Sequence, residues 1–148
     1  MARLPRPEGH HTVTPSFAVP GAADVIGFME TAFGGELVER YDGPGDSVAH
    51  AEVRLGDSVV MLGDASPETP PMPAMLTYYV DDGPAVDAAY QRALENGASA
   101  LRAPEDQFYG YRSARVSDPG GNHWTICAVV EQLSEEEIKR RMSELMPG

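Results

Sequence analysis

The chain has 148 residues, 42% apolar and 23% charged, with a formal net charge of −12. That length suffices for one compact domain, and an acidic balance with no Lys/Arg patch excludes a surface built for nucleic acid or anionic membrane. A single cysteine, Cys127, excludes an internal disulfide, no apolar run is long enough to span a bilayer, and the basic start lacks a secretory apolar core, so a soluble, cytoplasmic protein is expected.

Residues 1–11 read as a loose arm whose His10 and His11 belong to a solvated tail. A strand over Val13 to Val19 precedes an amphipathic helix over Ala22–Phe33, with Ala22, Val25, Ile26, Met29, Ala32 and Phe33 on one stripe and Gly34-Gly35 at its end. Strands follow over Glu36–Tyr41, His50–Leu55 and Ser58–Leu62, the last two joined by a Gly56-Asp57 hairpin. Ala65–Pro73, with Pro67, Pro70, Pro71 and Pro73, is a stiff linker in which no helix can form.

The same order of signals then repeats. Met75 to Val80 is a strand and Pro84–Leu94 a helix, with Val86, Ala89, Tyr90, Ala93 and Leu94 on one stripe and Gly97 past its end. Strands over Ala98–Arg102, Ser113–Ser117 and His123–Ala128 complete the copy, and Asp118-Pro119-Gly120-Gly121-Asn122 takes the hairpin position. Val25 and Ala32 recur as Val86 and Ala93 at a spacing of 61 residues. Ser134 with Glu137 reads as a capping box opening a C-terminal helix whose Ile138, Met142, Leu145 and Met146 form an apolar stripe, packed on the body or across a dimer contact. The chain therefore divides into an arm 1–11, a first half 12–64, a linker 65–73, a second half 74–130 and a C-terminal helix 131–148. The expected class is α+β: two βαβββ repeats forming a curled mixed sheet, or cup, with helices on its outer face.

Strand alternation sorts the side chains into faces. Ala49, Ala51, Val53 and Leu55 suit helix packing, which leaves His50, Glu52 and Arg54 on the inner face. Thr12, Thr14, Ser16, Val59 and Met61 join them from the neighbouring strands. In the second half, Met75, Thr77, Tyr79, Ser113, Arg115, His123, Thr125 and Cys127 face inward, while Leu76, Tyr78, Val80, Ala114, Val116, Trp124 and Ile126 face the helix. Apolar residues on the inner face favour a pocket over a solvated sheet.

Thr14-Pro15-Ser16-Phe17-Ala18-Val19, Phe28, Ala32-Phe33-Gly34-Gly35, the run from His50 to Ser58 and Asp118-Pro119-Gly120-Gly121-Asn122 resemble the vicinal oxygen chelate superfamily. That group holds glyoxalase I, extradiol dioxygenases and bleomycin-resistance proteins. Pro104 to Gly110 resembles a glyoxalase-like subgroup without an assigned substrate. The resemblance implies metal ligands on the first and fourth strands of each half, where alignment places Thr14, Met61, Met75 and Thr125. Thioethers are soft and neutral hydroxyls bind weakly, so no metal or cofactor is expected. A substitute site from His50 and Glu52, with His123 as third ligand, competes with a plain strand-face ion pair of Glu52 with Arg54 or Arg115.

Phe108, Tyr109, Tyr111 and Arg112 form an aromatic and cationic loop that either lids a flat ligand or anchors itself to the core. Cys127, on an apolar strand, reads as inert. The ligand-binding set is Thr14, His50, Glu52, Met61, Met75, Thr77, Tyr79, Phe108, Tyr109, Arg112, Arg115 and Thr125, with no catalytic residue assigned. Three uses stay open: metal-free sequestration of a small organic molecule such as an antibiotic or metabolite, a glyoxalase-like lyase, isomerase or dioxygenase with His50 or Glu52 as base, and an interaction module. A homodimer is expected in each.

Overall fold

A computed structural model describes residues 5–146. The elements run β1(Ser16–Val19), α1(Ala22–Phe33), β2(Glu36–Asp42), β3(Val48–Leu55), β4(Ser58–Asp64), β5(Met75–Tyr79), α2(Gly83–Glu95), β6(Ser99–Asp106), β7(Tyr111–Ser117), β8(His123–Val129) and α3(Glu135–Leu145). Two four-stranded mixed sheets result, ordered β1-β4-β3-β2 and β5-β8-β7-β6. The expected curled sheet is thus two copies of one sheet, each with its own helix on one face. In each copy the first strand lies parallel to the last and the other pairings are antiparallel.

The predicted stripes bury as expected. Ala22, Val25, Ile26, Met29, Ala32 and Phe33 of α1 and Val86, Ala89 and Ala93 of α2 join a single core, with Tyr90 and Leu94 half-buried against it. Gly34 ends α1 in the left-handed region at φ 68°. The halves meet through aromatic rings: Phe33 stacks on Tyr78 at 4.5 Å and lies 5.0 Å from Trp124, while the Arg92 guanidinium donates to the Ala32 carbonyl.

The second hairpin is also a joint between halves. The buried Asp118 carboxylate accepts from the backbone N–H groups of Gly120 and Asn122, from the Asn122 amide and from the Trp124 indole. Gly120 rests on the first half so closely that a Cβ would stand 2.6 Å from a Val25 methyl carbon. Only glycine fits there.

Several expectations need correction. β1 begins at Ser16, not Val13, because Pro15 has no N–H to give the ladder and Thr14 is held in a local turn by reciprocal hydrogen bonds with the His11 backbone. Thr12 and Thr14 are therefore outside the sheet. Ala49 does not pack on a helix: Asp42 pairs with Val48 and Tyr41 with His50, so Ala49 is the extra residue of a bulge and is exposed, while Val48 takes the core position. Only half of the capping box forms. Ser134 accepts from the Glu137 N–H, but the Glu137 carboxylate is occupied by Arg140 and Arg141. α3 has no buried residue, and Met142, Leu145 and Met146 are exposed. Of the expected arm and C-terminal segments, residues 1–4 and 147–148 lie outside the described residues.

Candidate functional site

The face of each sheet away from its helix carries a row of four side chains in register. In the first half it is Ser16–Met61–Glu52–Glu39. In the second it is Thr77–Thr125–Arg115–Arg102. The rows occupy repeated positions of the duplication, so the same architecture presents carboxylates in one copy and guanidiniums in the other.

Glu39 and Arg102 reach these rows by the same device. Val38 and Leu101 are single extra residues in bulges of β2 and β6, and each is exposed. One inserted residue reverses the parity of the strand beyond it and turns the next side chain onto the inner face. Neither Glu39 nor Arg102 belongs to the set expected from sequence.

In the first half, His50 Nε2 lies 2.9 Å from one Glu52 oxygen and His10 Nε2 lies 3.1 Å from the other. The His50 hydrogen bond holds the Glu52 carboxyl below the usual carboxylate range; burial opposes that shift, and the nearby His10 adds to it. Tyr41 donates its hydroxyl to Glu39. Of the expected solvated tail, His11 is exposed as expected, but Gly9 and His10 lie against the sheet. His10 is a tenth exposed, and the arm passes so near Val59 that a Cβ on Gly9 would stand 2.7 Å from Val59 Cγ2. Val59 is buried beneath it.

Donor atoms of Glu39, His50 and Glu52 all lie within 4.8 Å of one another. Imidazoles and carboxylates at such spacing match the chemistry of a borderline divalent ion. His123 takes no part: it sits on the other sheet, paired with Met75 and Ser117. The positions where the resemblance implies a metal do not fit one. Ser16, rather than Thr14, stands beside Met61, and Thr77, rather than Met75, beside Thr125. Hydroxyls and a thioether still occupy these four positions.

The second inner face is more open. Met75 is 75% and Tyr79 59% exposed, and Thr77 is exposed between them. A chain of rings runs from Tyr79 to Tyr111 at 6.1 Å, to Tyr109 at 5.2 Å, and on to Phe108 at 5.2 Å. Its hydrogen bond with Tyr111, with burial adding to the effect, pushes the Tyr79 hydroxyl up to about 12. The loop bearing these rings is a fixed wall. The Gly110 carbonyl accepts from the N–H groups of Val130 and Glu131, and the Phe108 carbonyl accepts from Arg141.

Arg112 leaves the expected set, because the parity of β7 turns it to the helix side, where it pairs with Asp87 of α2 and with Asp106. Burial pushes the Cys127 thiol up, which keeps it protonated and unreactive. A cleft of about 420 Å3 opens beside β5, lined by Val13, Leu55, Val60 and Trp124 and by Leu76 to Tyr79 of β5.

The family model described as the Glyoxalase/Bleomycin resistance protein/Dioxygenase superfamily matches residues 9–126. A Mycobacterium bovis protein described as uncharacterized is 35% identical over 147 residues, covering 92% of this chain and 95% of its own length. Among solved structures, TioX from Micromonospora sp. ML1 superposes with a TM-score of 0.62 at 20% identity, over 84% of this chain and 100% of that one. A glyoxalase/bleomycin resistance protein/dioxygenase family enzyme from Burkholderia phytofirmans PsJN superposes with a TM-score of 0.65 at 22% identity, over 77% and 94%. The chain belongs to the glyoxalase/bleomycin resistance/dioxygenase superfamily.

Proposed function

We propose that this chain is a metal-free binding protein that holds a small organic molecule, such as an antibiotic or metabolite, against the inner face of its second half. The observation that carries the reading is the combination there of an exposed aromatic wall, a polar row and an adjoining cleft of about 420 Å3. Ligand pockets have this mixture of apolar surface with a few fixed polar groups. Metal-free binding is supported by the residue types on the first and last strands of the two rows, Ser16, Met61, Thr77 and Thr125, none of them a strong ligand for a hard or borderline ion. A homodimer belongs to the same reading, supported by apolar side chains left exposed at Val13, Met75 and along α3.

Native mass spectrometry of the purified protein tests this reading. A ligand-sized mass adduct, retained in chelator and diminished in Tyr79→Ala, is the expected outcome. One stoichiometric transition metal per chain would overturn it. That second result would favour a lyase-like enzyme whose ion sits among Glu39, His50 and Glu52, a reading that rests on the convergence of those donors within 4.8 Å. Glu52→Gln would then lose both metal and activity.

A further inference from the structure

Arg102 and Arg115 are cross-strand partners, yet among the described residues neither has a carboxylate at ion-pair distance. In a chain with 23 acidic residues and 11 basic ones, that is an anomaly of placement rather than of supply. Like charges facing each other across a ladder destabilise it. The repulsion here is answered only by neutral hydroxyls: Arg102 donates to Ser113 at 2.7 Å and Arg115 to Thr125 at 3.3 Å. Arg102 Nε is buried and has no acceptor at all. A buried guanidinium N–H left without a partner costs folding free energy, so a site that keeps one is short of an acceptor. The nearest acid along the sheet, Glu105, is exposed and turned to the Gln107 amide.

We infer that the second inner face takes an anionic ligand, a carboxylate or phosphate ester joined to a flat ring. The anion lies between Arg102 and Arg115, and the ring lies against Tyr79 and Tyr111. An oxyanion there neutralises the opposed pair, and guanidiniums suit planar oxyanions because their donors form a rigid fork. The row places the groups side by side: Thr77 and Thr125 extend it toward the cleft, and Tyr79 and Cys127 form the next row along the strands. A chain of net charge −12 repels anions at long range, so anion preference can arise only from this local array. The inference rests on the proposed binding role and reverses the ligand charge that overall acidity would favour.

Two probes with one ring system separate the possibilities: 2-naphthoate and 2-naphthylmethylammonium, titrated calorimetrically into the full chain. The expected result is that naphthoate binds at least about tenfold more tightly, and that Arg102→Gln with Arg115→Gln abolishes the preference. Naphthoate binding should also weaken as salt rises, while the cationic probe gains nothing. Arg115→Gln alone, together with the salt series on the unmodified chain, decides the matter if the double variant does not fold. Equal affinity for both probes, preference for the ammonium, or a preference that survives the substitutions would overturn the anion site and leave the binding role standing. Failure of both probes to bind would overturn both.

Discussion

The two halves share topology, helix stripe and even the position of a bulge, yet their inner faces have diverged into opposites. The first is satisfied from within: Glu52 holds an imidazole on each oxygen, Glu39 accepts a tyrosine hydroxyl, and the arm lies across Val59. The second is left open: among the described residues Arg102 and Arg115 have no carboxylate at ion-pair distance, and Met75 and Tyr79 are exposed. Duplication supplies two equivalent scaffolds, and the difference teaches that one copy can satisfy its polar row from within while the other keeps the unmet polar groups that mark a site. The half with the better metal-like donors is also the half whose donors already have partners.

The same contrast extends to the joints, where it can be broken by substitution. Asp118 anchors the second hairpin through buried bonds to Gly120, Asn122 and Trp124, whereas Asp57 in the equivalent first hairpin is exposed and accepts only from Ser58. Asp118→Ala should cost about 3 kcal/mol or more in denaturant unfolding, because it strands several buried donors. Asp57→Ala should stay within about 0.5 kcal/mol. Similar losses at both positions would mean that the hairpins are equivalent after all.

Helix entry differs too. α2 is capped by its own Asp82, which accepts from the Ala85 N–H. α1 has glycine at that position and borrows Asp64 from β4, whose carboxylate accepts from both Ala22 and Val48. Asp64→Ala should therefore cost about 2 kcal/mol and Asp82→Ala about 1 kcal/mol. Burial raises the Asp64 carboxyl, but the Val48, Ala22 and Gly21 N–H groups outweigh it and hold it below its ordinary range. Its contribution is therefore present above that range and lost as acid takes the pH through the lower folded value. An Asp64→Ala penalty that is unchanged on acidification would contradict this.

The smallest effect belongs to α3, which has no buried residue and carries a network of ion pairs. Hydrogen bonds from Arg140 and Arg141 hold the Glu137 carboxyl at about 2, against an ordinary 4.5. Because the folded value is the lower one, the stability these intrahelical pairs give α3 is full above 4.5 and is lost progressively as pH falls toward 2. Hydrogen exchange at the Ile138 amide should follow that course, and Glu137→Gln should abolish it. A loss centred near pH 4.5 would show that the pairing does not form.

Much of the inner face was legible because it lies on central strands with unbroken alternation. His50, Glu52 and Met61 in one half, and Thr77, Tyr79, Arg115 and Thr125 in the other, stand on the faces that a period of two assigns. Legibility failed where alternation was interrupted. Glu39 and Arg102 follow bulges that no local pattern announces, and Ala49 is itself a bulged residue. Arg112 has aromatic loop neighbours that suggest a ligand-facing role, although alternation from Arg115 along β7 already points it to the helix side. His10 lies 42 residues from the Glu52 it contacts, and nothing nearby in the chain signals that pairing.

By itself, the sequence determined the repeat, both helices with their buried stripes and the succession of strands along each copy. These depend on hydrophobic period, turn residues and residue type, all of which act over a few neighbours. Tertiary structure alone decided that Gly9 and His10 of the arm lie on Val59 and Glu52, that bulges deliver an acid to one row and a guanidinium to the other, and that among the described residues one buried Nε goes without an acceptor. Register and coverage depend on which distant backbone lies alongside, and side chains far apart in the chain settle that only when the whole core has packed.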